Sequence, residues 1–227
     1  MSRTSYKEIL DKIEIQLEGE AHLDELARKK QDPFKILIST ILSTRTKDAN
    51  TKMATERLFA KFNTPKTIAE ANIEDLENLV KCSGFYKVKA ARIKEVSKIL
   101  IEKYNGKVPE NYDDLINLPG VGSKTANCVL VYAFKVPAIP VDTHVHRISN
   151  RLGWVKTKNP LNTEQRLKSI IPKELWLQLN RLFVRFGQQI CMPIRPKCEV
   201  CLINGVCPKD FSMELAFKEK RKKEKNK

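Results

Sequence analysis

Apolar residues recur along most of this 227-residue chain at spacings of three and four, the period of a helix that buries one face. The chain therefore reads as all-α. Asp32-Pro33 opens one helix with Phe34, Leu37, Ile38, Ile41 and Leu42 on its buried side, and Asp48 is placed to cap the next, which carries Ala54, Leu58 and Phe62. Thr64-Pro65 and Asn72 cap two short helices. Ile93, Val96, Leu100 and Tyr104 mark a longer one that stops at Asn105-Gly106, its basic face turned to solvent or to phosphate. Asn111 starts a segment through Leu115 and Leu118. The turn Pro119-Gly120-Val121-Gly122 follows, and Ala126, Val129, Leu130 and Ala133 form the next stripe, so two helices flank a tight glycine hairpin. Val136 to Val141 holds Pro137 and Pro140, reads as extended, and marks a crossing between two halves of the chain. Three more helices are expected: Thr143 to Leu152, stopped by Gly153; Thr163 to Ile171; and Lys173 to Phe186, stopped by Gly187.

Composition narrows the picture. A hydrophobic share of 41% can fill a core and excludes a disordered chain, and the longest apolar run, seven residues from Cys128 to Phe134, is too short to span a bilayer. The N-terminus carries acidic residues where a signal peptide needs an apolar stretch, so a cytoplasmic protein is expected. Lys and Arg number 42 against 27 Asp and Glu, and the net charge of +15 points to a polyanionic partner, nucleic acid first. The last eleven residues supply +5 of that charge and read as a disordered basic arm, which leaves the body basic on its own account.

The six cysteines are unevenly placed. Cys82 and Cys128 stand alone, whereas Cys191, Cys198, Cys201 and Cys207 crowd into seventeen residues as C-x6-C-x2-C-x5-C. In a reducing compartment four such thiolates are the ligand set of a tetrahedral zinc ion or a cubane iron-sulfur cluster, and the lack of two close pairs favours iron-sulfur over zinc. Four unligated core cysteines are the plainer alternative. Within the same loop, Arg195 and Lys197 are equally suited to phosphate contact and to solvation.

A second constellation is Leu118-Pro119-Gly120-Val121-Gly122-Ser123-Lys124-Thr125-Ala126. Alternating glycines allow positive φ and let backbone amides approach a phosphate at the positive end of the following helix, although the fragment alone also serves as a plain interhelical turn. Lys124 lies in the first turn of that helix, where the dipole disfavours a cation and lowers the pKa of the amine. A neutral amine there can attack a sugar C1′, displace a base and leave a Schiff base that loses the 3′ phosphate by β-elimination. A phosphate contact is the alternative for a lysine in a basic protein. Asp142, in Val141-Asp142-Thr143-His144, can accept the proton of the lysine or stabilise a sugar cation, and it is equally suited to cap the helix it precedes. His144, Arg147 and Arg151 share a helix face, open to phosphate or to solvent.

Taken together, LPGVGSKTA, VDTHVHR and the four-cysteine cluster resemble the endonuclease III family of DNA glycosylase/AP lyases, over about Ile38 to Cys207. The resemblance implies two helical domains with a DNA cleft between them. Residues 26–137 would form a six-helix domain with the helix-hairpin-helix, residues 1–25 plus 138–217 a domain of both chain ends around a [4Fe-4S] cluster, and residues 218–227 a basic tail. It implies Lys124 as nucleophile, Asp142 as catalytic carboxylate and Cys191, Cys198, Cys201 and Cys207 as cluster ligands, with a monomer acting on oxidised pyrimidines or abasic sites in duplex DNA. Arg45 stands where the family has its gap filler, usually glutamine, and Phe85 where it has an apolar wedge, often leucine. Ser123 replaces a basic residue common before the nucleophile. Gly120, Gly122, Ser123, His144, Arg195 and Lys197 complete the expected DNA contacts. A monofunctional mismatch glycosylase of the same fold and a noncatalytic DNA-binding module are the other functions compatible with these residues.

Overall fold

The computed structural model describes residues 3–19, 22–29 and 32–212, and the expected basic tail at 218–227 lies outside the described residues. Twelve α-helices follow one another, with no strand among the described residues: α1 (Arg3–Ile15), α2 (His22–Arg28), α3 (Pro33–Ser43), α4 (Asp48–Lys61), α5 (Pro65–Glu70), α6 (Ile73–Val80), α7 (Tyr86–Tyr104), α8 (Tyr112–Ile116), α9 (Ser123–Phe134), α10 (Thr143–Arg151), α11 (Pro160–Ile170) and α12 (Trp176–Gln189). Short 3₁₀ turns lie at Lys173–Leu175 and Cys198–Val200. None of the helices is long and apolar enough to cross a membrane. The chain divides into two compact units: one is Glu20–Pro140, the other the described residues of Met1–Gly19 and Val141–Lys227.

The unit Glu20–Pro140 is organised around two helices that are apolar on nearly every side. α3 buries Phe34 and the whole run from Ile36 to Leu42, and α9 buries every residue from Thr125 to Tyr132. Helices without a polar face are stable only when neighbours surround them. α3 packs on α9, α4, α7 and α2, while α5 and α6 lie on α7. The polar members of α3 are absorbed locally: Thr40 Oγ1 donates to the Ile36 carbonyl at 2.7 Å, and Thr55 Oγ1 of α4 to Ser39 Oγ at 3.2 Å. The other unit has its own aromatic centre, Trp154, which meets Tyr6 of α1 edge-on at 5.0 Å and Phe183 of α12 at 5.4 Å. Tyr6, Ile9, Leu10 and Ile13 are all buried, so α1 is a structural part of that unit.

Several helix signals act as expected. Asp32 accepts from the Phe34 amide at 2.7 Å with Pro33 behind it, Thr64 makes a reciprocal capping box with Thr67, and Asn105 in the left-handed region closes α7. Others act differently. Asp48 is the first residue of α4 rather than its cap, and its Oδ2 accepts from the His22 amide at 3.2 Å. α11 begins at Pro160 behind an Asn159 cap instead of at Thr163, because proline fits the first helical position and Asn159 accepts from Asn162 at 2.9 Å. Gly187 does not stop α12, which continues to Gln189. Its role is proximity: a Cβ there would stand 2.4 Å from His144 Nδ1 and 2.8 Å from Arg147 Nη2. Helices α1 and α2 gave no signal that a cap or a proline would have supplied.

His22 introduces a pH dependence. Its ring is buried with neither nitrogen hydrogen-bonded, and burial pushes its pKa below the ordinary 6.5, against the weaker pull of Asp48 and Glu25. The folded state thus favours the neutral ring, so as pH falls through the ordinary histidine range the unfolded chain binds a proton that the folded chain resists. The thermal midpoint is expected to fall between pH 7.5 and pH 5.5, and His22→Gln is expected to flatten that dependence in melts followed by circular dichroism.

Candidate functional site

In the glycine hairpin only Gly120 uses the left-handed region, at φ +74°, and a Cβ on it would stand 2.6 Å from Arg92 Cδ. Gly122 is the N-cap of α9 at φ −96° and ψ 179°, a conformation open to any residue. Its lack of a side chain leaves open space before the helix: a Cβ there would meet nothing within 4 Å. The positive φ that alternating glycines allow is thus used at Gly120 alone. A hydrogen bond from the Val121 amide to the Leu118 carbonyl at 3.0 Å closes the turn, and Ser123 and Lys124 follow as the first two helical residues, both half-buried. Amides at such a terminus have no intrahelical partner and carry the positive end of the helix dipole. Ser123 Oγ accepts from Asn127 Nδ2 at 3.4 Å.

Arg45 and Phe85 come together although forty residues separate them in the chain. Both sit at left-handed φ, +52° and +57°, which costs a non-glycine residue roughly 1–2 kcal/mol. The Arg45 guanidinium lies 5.7 Å from the centre of the Phe85 ring, and Phe85 is 62% exposed, so it is no part of the core. Beneath them Lys89 is buried. It donates to the Leu42 carbonyl and to Thr46 Oγ1, each at 2.7 Å, and burial pushes its pKa down to about 8. Lys89 escaped the sequence reading, yet a signal was there: it falls on the apolar stripe of α7 one turn before Ile93.

In the other unit Asp142 is the N-cap of α10. Its Oδ1 accepts from the amides of His144 at 2.9 Å and Val145 at 2.8 Å, so both cap bonds fall on one carboxylate oxygen and Oδ2 stays outside the cap. The same helix faces the cysteine loop. Arg147 and Arg151 are 8% and 2% exposed, which removes them from a phosphate-facing or solvated surface. Arg147 Nη2 donates to the carbonyls of Gly187 at 3.2 Å and Cys191 at 2.9 Å and stands 3.2 Å from His144 Nδ1. Arg151 Nη1 reaches Cys191 Sγ at 3.3 Å and the Met192 carbonyl at 2.8 Å, Nη2 reaches the Pro193 carbonyl at 3.2 Å, and the Phe211 ring lies 4.9 Å from its guanidinium.

Cys191, Cys198, Cys201 and Cys207 line a single cavity with Ile148, Phe186 and Lys197, among others. Burial raises the thiols of Cys201 and Cys207, the charges of the neighbouring cysteines raise them further, and amides of Ile203 and Lys209 donate to them. Four such thiolates repel one another and need a cationic centre. No group of three His, Cys, Asp or Glu among the described residues is gathered tightly enough for a single metal ion. The four-thiolate donor set, the cavity it lines and the N–H···S contacts are those an iron-sulfur cluster would need. Arg195, at φ +53°, and Lys197 are exposed on this loop.

Residues 38–173 match the family described as HhH-GPD superfamily base excision DNA repair protein. Endonuclease III of Thermotoga maritima is 54% identical over 179 residues, which are 79% of this chain and 84% of the relative. A structure of a trapped endonuclease III-DNA covalent intermediate with an estranged adenine superposes with a TM-score of 0.81 at 37% identity, covering 92% of this chain and 97% of the other. A thermostable thymine-DNA glycosylase does so at 0.79 and 26% identity, covering 91% and 95%.

Gly187→Ala tests the packing that holds α10. A methyl group would force His144 or Arg147 off its position, and we expect a loss of about 1–3 kcal/mol in urea unfolding.

Proposed function

This chain belongs to the HhH-GPD superfamily of base excision DNA repair proteins, and on that footing we propose that it is a bifunctional DNA glycosylase and AP lyase that removes oxidised pyrimidines from duplex DNA. The observation that carries the reading is Lys124 on the first turn of α9, directly behind an open glycine cap. There the amine meets the positive end of the helix, which disfavours the ammonium and favours the nucleophile. Hairpin amides at Gly120, Gly122 and Ser123 take a DNA phosphate, and Arg195, Lys197 and His144 add contacts to the backbone. Arg45 and Phe85 fill the stack once the damaged nucleotide is extruded.

The chemistry runs through the lysine. Its unprotonated amine attacks C1′ as the bond from C1′ to the base breaks, and the base leaves with that electron pair and takes up a proton. The nitrogen gives up a proton, the sugar ring opens, and a protonated Schiff base results. Loss of a C2′ proton then expels the 3′ phosphate with the C3′–O electron pair, and water hydrolyses the imine to restore Lys124. Asp142, the N-cap of α10, contributes its negative charge to the sugar cation or accepts the lysine proton. Holding the cap through Oδ1 leaves Oδ2 for that task.

Cys191, Cys198, Cys201 and Cys207 would hold a [4Fe-4S] cluster, which supplies four iron-sulfur bonds that close the loop. Its role is structural, because glycosyl transfer and elimination transfer no electron. The same fold in a thymine-DNA glycosylase keeps a monofunctional mismatch enzyme as a second reading. Lys124 favours the bifunctional one.

Incubation with abasic duplex and borohydride is expected to give a covalent adduct that Lys124→Gln abolishes and Asp142→Asn reduces. Base release without an adduct would assign the monofunctional reading, and neither product with cluster-loaded protein would reject both. The purified protein is expected to be yellow-brown, with Cys198→Ala lowering the yield of folded protein and the affinity for DNA.

A further inference from the structure

A buried lysine ties together the two turns that carry Arg45 and Phe85. Lys89 is 3% exposed, and its Nζ reaches the last turn of α3 through the Leu42 carbonyl and the following turn through Thr46 Oγ1. The same hydroxyl accepts from the Gly84 amide at 3.1 Å. Gly84 must be small, since a Cβ on it would stand 2.9 Å from the Arg45 carbonyl oxygen. Thus α3, α7 and the two turns meet at one hydroxyl and one amine. The arrangement is costly: desolvation holds the amine at about 8, and an apolar residue of the same length would occupy the stripe of α7 without that penalty. At the outer edge of the knot, Thr44, Arg45, Phe85, Val88, Lys89 and Arg92 line a cavity of about 350 Å³, with Arg45 and Phe85 stacked in left-handed backbone conformations. Strained residues keep such conformations only where their surroundings hold them.

We propose that Lys89 is a positioning residue that acts through Arg45 and Phe85, presetting the pair for the gap left by an extruded nucleotide. The inference rests on the reading of Arg45 and Phe85 given above. Lys89 makes no contact with DNA in this account. Its effect is to remove the freedom that the exposed turn would otherwise lose on binding, so that the ordering is complete before DNA arrives.

The test is a double-mutant cycle on the full chain. Lys89→Met keeps the apolar stem and removes the donor, and the readout is the ratio of dissociation constants for intact duplex and for the same duplex with one abasic site. Lys89→Met is expected to lower that ratio about tenfold, and to lower it no further when Arg45→Ala and Phe85→Ala are already present. The loss is expected to be larger in the dissociation constant than in the single-turnover rate at saturating protein. Thr46→Val, which removes the shared acceptor from the other side, is expected to reproduce the result and serves if Lys89→Met does not fold. An unchanged ratio for either folded variant, or a loss that adds fully to that of the Arg45 and Phe85 changes, would overturn the role of Lys89. If Arg45→Ala with Phe85→Ala leaves the ratio untouched, the gap-filling reading falls and this inference with it, while adduct formation by Lys124 would still stand.

Discussion

The burial of α9 is the constraint on which the proposed chemistry depends. From Thr125 to Tyr132 every residue of that helix is buried, against α3 along most of its length, so α9 cannot rotate or slide without opening the core. Its first turn reaches the surface, and it carries the open glycine cap, Ser123 and Lys124. A nucleophile needs a fixed direction of approach more than it needs reach. For the proposed nucleophile, Lys124, the direction is set by apolar packing of Thr125 to Tyr132.

α10 solves the corresponding problem for Asp142 with polar groups. Its N-terminus is closed by the carboxylate itself, and its buried face presents Arg147 and Arg151 to carbonyls of Gly187, Cys191, Met192 and Pro193. Two guanidinium groups thus join the helix of the carboxylate to the start of the cysteine loop. Arginine suits this task, because its planar fork satisfies several carbonyls at once and keeps its charge when buried. The start of the cysteine loop and the helix capped by Asp142 thus share one hydrogen-bond network.

Strain is concentrated where DNA contacts are proposed. Arg45, Phe85 and Arg195 hold left-handed backbone conformations, as does Lys209 after the last cysteine, and none of the four is a glycine or a helix C-cap. Asn105 and Lys135, also left-handed, are ordinary helix stops. The turns of Arg45 and Phe85 are kept in place by the knot around Lys89 and Thr46, and Lys89 is the one buried lysine among the described residues of this unit.

Local patterns in the chain were enough for the helical class, most helix boundaries, the glycine hairpin and the four clustered cysteines, because caps, prolines and apolar spacing act over a few residues. They were also enough to single out Lys124 and Asp142, whose places in their helices follow from immediate neighbours. What they could not decide is which long-range partner each polar residue meets. Arg147 and Arg151 look like surface charges until the cysteine loop folds over them, and Gly187 looks like a helix stop until α10 packs against it. Lys89 looks like one more basic residue until α3 and the Arg45 turn close around it. In each case the deciding contact spans forty residues or more, or comes from another helix, and only packing of the whole unit brings the two sides together.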